Sequence, residues 1–140
     1  MKDSDLFDET EYKRWLHQAE YTLNSAKGDL KSTDYSWSCF KSQQAAEYAV
    51  KAILRGLGKA ATGHSVLKLL EKLEETGISV PEGLRNCARS LDKHYVPPRY
   101  PNAYPAGAPF EFYDKTTAKE AISHANKVVQ FVLSEKAKYV

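Results

Sequence analysis

The sequence is short of several things that would point to common function classes. It has two cysteines, Cys39 and Cys87, and four histidines. Two cysteines are too few for a disulfide scaffold and neither belongs to a C-x-x-C pair, so a reduced, cytoplasmic setting is expected. The histidines and cysteines are scattered without ligand spacing, and neither a structural metal nor a cofactor is expected. No apolar run approaches the roughly 20 residues that cross a membrane. The stretch from Met1 to Glu11 is acidic and polar, which argues against a secretory signal. Charge of one sign is not in excess: 20 Lys+Arg face 18 Asp+Glu, a formal net charge of +2. That balance excludes a histone-like nucleic-acid binder but leaves room for a local basic stripe. There is no glycine-rich phosphate loop, no G-x-S-x-G elbow and no pair of catalytic carboxylates, which removes P-loop, kinase and protease readings. Sustained period-two alternation, internal repeats and low-complexity tracts are also missing.

What is present is helical periodicity. The chain has 140 residues, 42% of them hydrophobic, enough for one domain with its own core. Asp8, with Glu11 three residues on, resembles a capping box. Tyr12, Trp15, Leu16, Ala19, Leu23, Ala26 and Leu30 then recur at helical steps. Asp34 can cap a second helix, whose stripe runs through Trp37, Phe40, Ala46, Ala49, Val50, Ile53, Leu54 and Leu57. Gly56 and Gly58 supply its stop signal. A third helix is expected over about 65–76, with Val66, Leu67, Leu69, Leu70 and Leu73 apolar and Gly77 ending it. A fourth is expected over about 81–94, with Pro81 in its first turn and Leu84, Ala88 and Leu91 inward. Asp114 or Thr116 opens the last helix, whose stripe is Ala118, Ala121, Ile122, Ala125, Val128, Val129 and Val132.

Between the fourth and last helices the character changes. Five of the six prolines lie from Pro97 to Pro109, interleaved with Tyr95, Tyr100, Tyr104, Phe110, Phe112 and Tyr113. Proline removes helix donors, so a loop is expected over about 95–113. Long irregular loops inside compact domains are usually functional. The predicted architecture is all-α: a single domain over 1–140, an antiparallel up-and-down bundle of four to five helices, with a Pro/Tyr-rich loop before the last.

Three segments carry a family resemblance. The second helix contains Gln43-Gln44-Ala45-Ala46-Glu47-Tyr48-Ala49-Val50-Lys51. Gly63-His64-Ser65 follows, with Leu67, Leu69 and Leu70. Then comes Leu91-Asp92-Lys93-His94-Tyr95-Val96-Pro97-Pro98-Arg99-Tyr100-Pro101. In that order and at that spacing they resemble the HEPN domain family, over about 11–133. The resemblance implies a helical bundle, usually a homodimer. It also implies pairing with a minimal nucleotidyltransferase as in toxin–antitoxin systems. Some members are metal-independent ribonucleases; others bind nucleotides or serve as inactive scaffolds.

The nuclease members carry an arginine, four to six variable residues and a histidine. Arg89 and His94, with four residues between them, match that pattern, and the resemblance makes them the candidate catalytic pair. A histidine can take the proton of a ribose 2′-hydroxyl at neutral pH. An arginine can hold the phosphate that the oxygen then attacks. On a regular helix five steps of about 100° leave the two about 140° apart. They converge if the helix unwinds near His94, which Pro97 and Pro98 favour, or if a second subunit completes the site. Arg85, Arg89 and Lys93 form a basic stripe with Arg99 beyond, suited to steering RNA. Its commoner explanation is a solvated helix face. Tyr95 and Tyr100 are substrate-binding candidates through base stacking, against the alternative that the loop tyrosines pack on the bundle or a partner. Ser90 and Val96 depart from family positions that are often Asn, Asp or His and, in some members, a tyrosine. They motivate the rival reading: a non-catalytic dimeric module that binds nucleotide or a nucleotidyltransferase-type partner. Gln43, Gln44, Glu47 and Lys51 read as a buried positioning network or a nucleotide-pocket lining. His64 reads as a loop or capping residue, His17 and His124 as surface or satisfied, and the cysteines as core fillers.

Overall fold

The computed structural model describes residues 7–139, so most of the N-terminal stretch read above as no secretory signal lies outside the described residues. Five α-helices make up the fold among the described residues: α1 Glu9–Lys31, α2 Tyr35–Gly56, α3 Val66–Glu74, α4 Glu82–Asp92 and α5 Lys115–Lys136. No strand occurs among these residues. The expected all-α bundle is present.

Local signals account for the helix starts. The Asp8 carboxylate accepts from Glu11 N at 3.0 Å, satisfying one of the free donors of the first turn of α1. Ser65 does the same for α3 through Lys68 N at 3.1 Å, and Asp114 for α5 through Thr117 N at 2.8 Å. Asp34 occupies the cap position of α2, but its side chain makes no cap hydrogen bond. Gly77, at φ +99°, ends the turn after α3 in a conformation that an L side chain rarely adopts.

Helix α2 is the axis of the bundle and packs against all four others. Its Ala45, Ala46, Ala49, Val50, Ile53 and Leu54 are fully buried. The face toward α1 is built from small residues, with Ser38 Oγ donating to Ala26 O at 2.8 Å. Those small side chains let the two backbones approach closely. They also turn Trp37 outward: expected in the apolar stripe, it is 48% exposed. At the far end of the pair, Asp8 N donates to Gly56 O at 2.7 Å, fixing the start of α1 on the end of α2. The core is completed by Leu70 and Leu73 from α3, Ala88 and Leu91 from α4, and Val128 and Val132 from α5. Cys39 and Cys87 are free and buried, and burial pushes the Cys39 thiol up to about 12, which keeps it inert.

Helix α4 is shorter than expected. It ends at Asp92, and His94 N and Tyr95 N close tighter turns onto Leu91 O and Asp92 O. The loop that follows is not structureless. It contains two short 3-10 helices, Pro101–Ala103 and Pro109–Phe112. Tyr104 stacks on Phe112 at 4.3 Å between centroids. No helix among the described residues is long and apolar enough to cross a membrane.

Candidate functional site

The three segments that carry the resemblance meet in space, and Asp92 is where they meet. This last residue of α4 turns its carboxylate onto the start of α3. Oδ1 accepts from Val66 N at 2.8 Å and from Gln43 Nε2 at 3.2 Å. Oδ2 accepts from Ser65 Oγ at 2.8 Å and from Leu67 N at 3.1 Å. A helix start offers unpaired N–H groups and a partial positive charge, so a carboxylate there is stabilised twice over. Helix α3 is thus capped by a residue from another helix, and α2, α3 and α4 are tied at one point.

The network continues along α2. Gln43 Nε2 also donates to His64 O at 2.6 Å, and its Oε1 accepts from Gln44 Nε2 at 2.8 Å. Glu47 is 2% exposed. It accepts from Lys51 Nζ at 3.0 Å and from Gln44 Nε2 at 3.3 Å, and it lies 3.3 Å from His64 Nδ1. Every buried polar atom of this group has a partner, the condition under which a buried network rigidifies a fold. His64 is its outlet: its side chain is 59% exposed and its ring stacks on Tyr95 at 4.8 Å. Arg99 covers the same tyrosine at 4.7 Å, with Phe40 at 4.3 Å and Tyr100 at 5.1 Å. Its guanidinium is locked by two hydrogen bonds to Tyr95 O, at 2.8 and 2.6 Å. A fixed cation among aromatic faces, next to an exposed imidazole, is suited to anions and flat rings.

Arg89 and His94 are not brought together in this way. The Arg89 guanidinium runs back along α4, to Asn86 at 2.6 Å and Glu82 at 3.2 Å. It therefore points toward the helix start, while His94 lies beyond the helix end. The helix does unwind before His94, yet the arginine has turned the other way. The His94 ring packs edge-on against Tyr113 at 5.7 Å, and its Nδ1 is buried without a hydrogen-bond partner. Burial first, then the neighbouring His124 and Lys93, lower its pKa to about 4. Of the rest of the basic stripe, Arg85 pairs with Glu74 and Glu82, and Lys93 is exposed past the helix. Tyr100 is 47% exposed.

The profile of the HEPN domain family matches residues 12–136. The chain belongs to the HEPN domain family.

Its relatives include a Methanocaldococcus jannaschii protein provisionally named toxin MJ1304. The two are 33% identical over 128 residues, covering 86% of this chain and 84% of that one. A segment of human sacsin is 32% identical over 105 residues, which is 68% of this chain but 2% of sacsin. Among solved structures, TT1696 from Thermus thermophilus is 44% identical with a TM-score of 0.86, covering 89% of this chain and 97% of that one. The archaeal HEPN homologue ST0689 is 36% identical with a TM-score of 0.76, covering 90% and 98%. Among the described residues of this HEPN chain, no three His, Cys, Asp or Glu side chains gather as a metal site.

Two of the residues that matter here do not stand out in the sequence. Asp92 is visible there only as a motif letter, because it caps a helix that begins 26 residues earlier. His64 looks like a loop or cap residue. The one available signal is its place inside the Gly63-His64-Ser65 motif segment.

Proposed function

We propose that this HEPN chain is the binding member of a toxin-type pair. It works as a homodimer, engages a nucleotidyltransferase-type partner, and holds RNA or nucleotide without cutting it through Arg89 and His94. The observation that supports this reading is the divergence of those two side chains. Arg89 is engaged by Glu82 and Asn86, and His94 is packed against Tyr113 as a weak base. General acid–base work needs a pKa near the working pH and a ring within reach of the proton. The test combines metal-free incubation with RNA and titration with the partner. The expected result is intact RNA and micromolar partner binding by a dimer. Cleavage by the chain alone, lost in His94→Ala, would reverse the reading.

A second reading is a metal-independent endoribonuclease toxin, favoured by the name of the M. jannaschii relative. Arg89 would hold phosphate, His94 would move the proton, and Arg85, Lys93, Arg99, Tyr95 and Tyr100 would bind RNA. It requires Arg89 to leave Glu82. Glu82→Gln removes that carboxylate, so the nuclease reading expects faster cleavage by this variant and the binding reading expects none.

A further inference from the structure

Helices α1 and α2 frame a cavity that has no part in the network above. Its volume is about 530 Å³, and its lining is Arg14, Trp15, His17 and Gln18 from α1 with Tyr48 from α2. None of these belongs to α4 or the loop after it. The size is that of a small-molecule site. The Trp15 and Tyr48 rings stand 6.0 Å apart at 53°, forming an open aromatic corner. The indole is held from the α2 side, where the Arg55 guanidinium lies 4.7 Å from its centroid and Lys51 Nζ 5.8 Å. Trp15 is therefore fixed by α2 and still lines the cavity.

The formal charge in the lining is that of the Arg14 guanidinium. The lining also offers an imidazole and a carboxamide, and no carboxylate. Arg14 meets Glu11 at 2.6 Å, but its side chain is 71% exposed, so that pair is weak and the guanidinium is available. An aromatic corner selects a flat ring by stacking. A guanidinium at its rim selects an anion with two oxygens side by side. The two demands are met together by one molecule that carries both features a few bonds apart.

We propose that this cavity is a ligand site for a planar aromatic ring bearing a carboxylate or phosphate. The ring stacks on Trp15 and Tyr48. The anionic group sits on Arg14, with His17 beside it, and the Gln18 amide meets the ring edge. A nucleoside monophosphate and an aromatic carboxylic acid share this chemistry, and the test separates them.

Trp15 is its own reporter. The chain has two tryptophans, Trp15 and Trp37, and Trp37 is exposed, so Trp37→Phe leaves Trp15 as the single tryptophan, excited at wavelengths beyond the tyrosine absorption. This variant is titrated with AMP, nicotinate, adenosine and inorganic phosphate. The expected result is saturable quenching by AMP, by nicotinate or by both, with half-saturation below about 1 mM. Adenosine, which has no charge, and phosphate, which has no ring, bind at least about tenfold more weakly. Adding Arg14→Glu weakens the ring anions by at least about tenfold, with the folded spectrum unchanged. Quenching by AMP alone identifies the nucleotide source, and by nicotinate alone the carboxylic acid. The proposal is overturned if neither anion quenches up to about 5 mM, if adenosine matches AMP, or if Arg14→Glu changes nothing. RNA or nucleotide binding with Trp15 quenched by neither ring anion overturns it, while sparing the binding role proposed for the chain.

Discussion

Asp92 and His94 are two positions apart, one closing α4 and the other just beyond it, and their surroundings are opposite. The carboxylate receives four hydrogen bonds from two other segments of the chain, α2 and the start of α3. The imidazole has a buried nitrogen with none. Both belong to the motif that carries the family resemblance, so shared motif membership says nothing about shared role. A buried polar group contributes to the fold when its partners replace the water it lost, and costs free energy when they do not. Asp92 is the first case and ties the bundle. His94 is the second, and the protein compensates by keeping the ring neutral.

The largest effect that can break this contrast is at Asp92. Asp92→Ala removes the acceptor of the Ser65 hydroxyl and of two N–H groups of the first turn of α3, and leaves the Gln43 amide with His64 O alone. Loss of a charged, multiply bonded cap should cost about 3–5 kcal/mol. Asp92→Asn keeps the shape and part of the acceptor capacity, and should cost less than half as much. Urea unfolding at pH 7 measures both, with the slope unchanged if the fold survives. An Asp92→Ala loss below about 1 kcal/mol would mean that the knot is ornamental.

The next effect is acid sensitivity at His94. In the unfolded chain this histidine takes up a proton near its ordinary value of 6.5; in the folded chain it does so only near 4. Between those values the unfolded state binds more protons, so stability must fall as pH drops from about 6.5 toward 4. The full shift corresponds to at most about 3.5 kcal/mol, and the ring's partial contact with solvent reduces it. His124 is shifted in the same direction, by burial first and Lys127 second, and it adds to the slope. Unfolding midpoints measured across this range should fall for the wild type and fall less for His94→Gln. Equal pH profiles for the two would remove the buried-imidazole account.

The same contrast marks how far the sequence can be read. Stripes such as Val128, Val129 and Val132 in α5 announce their helices because burial repeats with the helical period. Caps from adjacent residues, Asp8 and Asp114, are equally legible. Asp34 misleads in detail, since it holds the cap position without making the side-chain bond. Trp37 is misplaced because its hydrophobicity outweighs the small Ser38 and Ser42 that claim the buried face. The site is readable only as a set of motif letters. Local spacing does not report that Asp92 reaches Ser65, or that Glu47 reaches His64, because those pairings are set by the tertiary fold. Nor does it report which way Arg89 turns, since an R-x-x-x-x-H pattern carries no information about the glutamate further back along α4.

The smallest effect is therefore the one that tests the pair most directly. Arg89 is 48% exposed, and its Glu82 partner is 68% exposed. Exposed ion pairs are screened by water and contribute little, so Arg89→Ala should change stability by less than about 0.5 kcal/mol. A binding module gains nothing from Arg89 through His94, so partner affinity should also hold within about twofold. A nuclease that uses Arg89 on phosphate would lose cleavage by several orders of magnitude in the same variant, with the same small stability change. Stability, affinity and cleavage measured on one protein thus divide the two readings without relying on the fold being disturbed. The Lys51–Glu47 pair supplies the internal control. It too is an acid–base couple on a helix, but both its side chains are buried, and Glu47→Ala strands a lysine away from water. That variant should unfold far more readily than Arg89→Ala, and equal stability of the two would show that burial does not separate the knot from the solvent-facing side of α4.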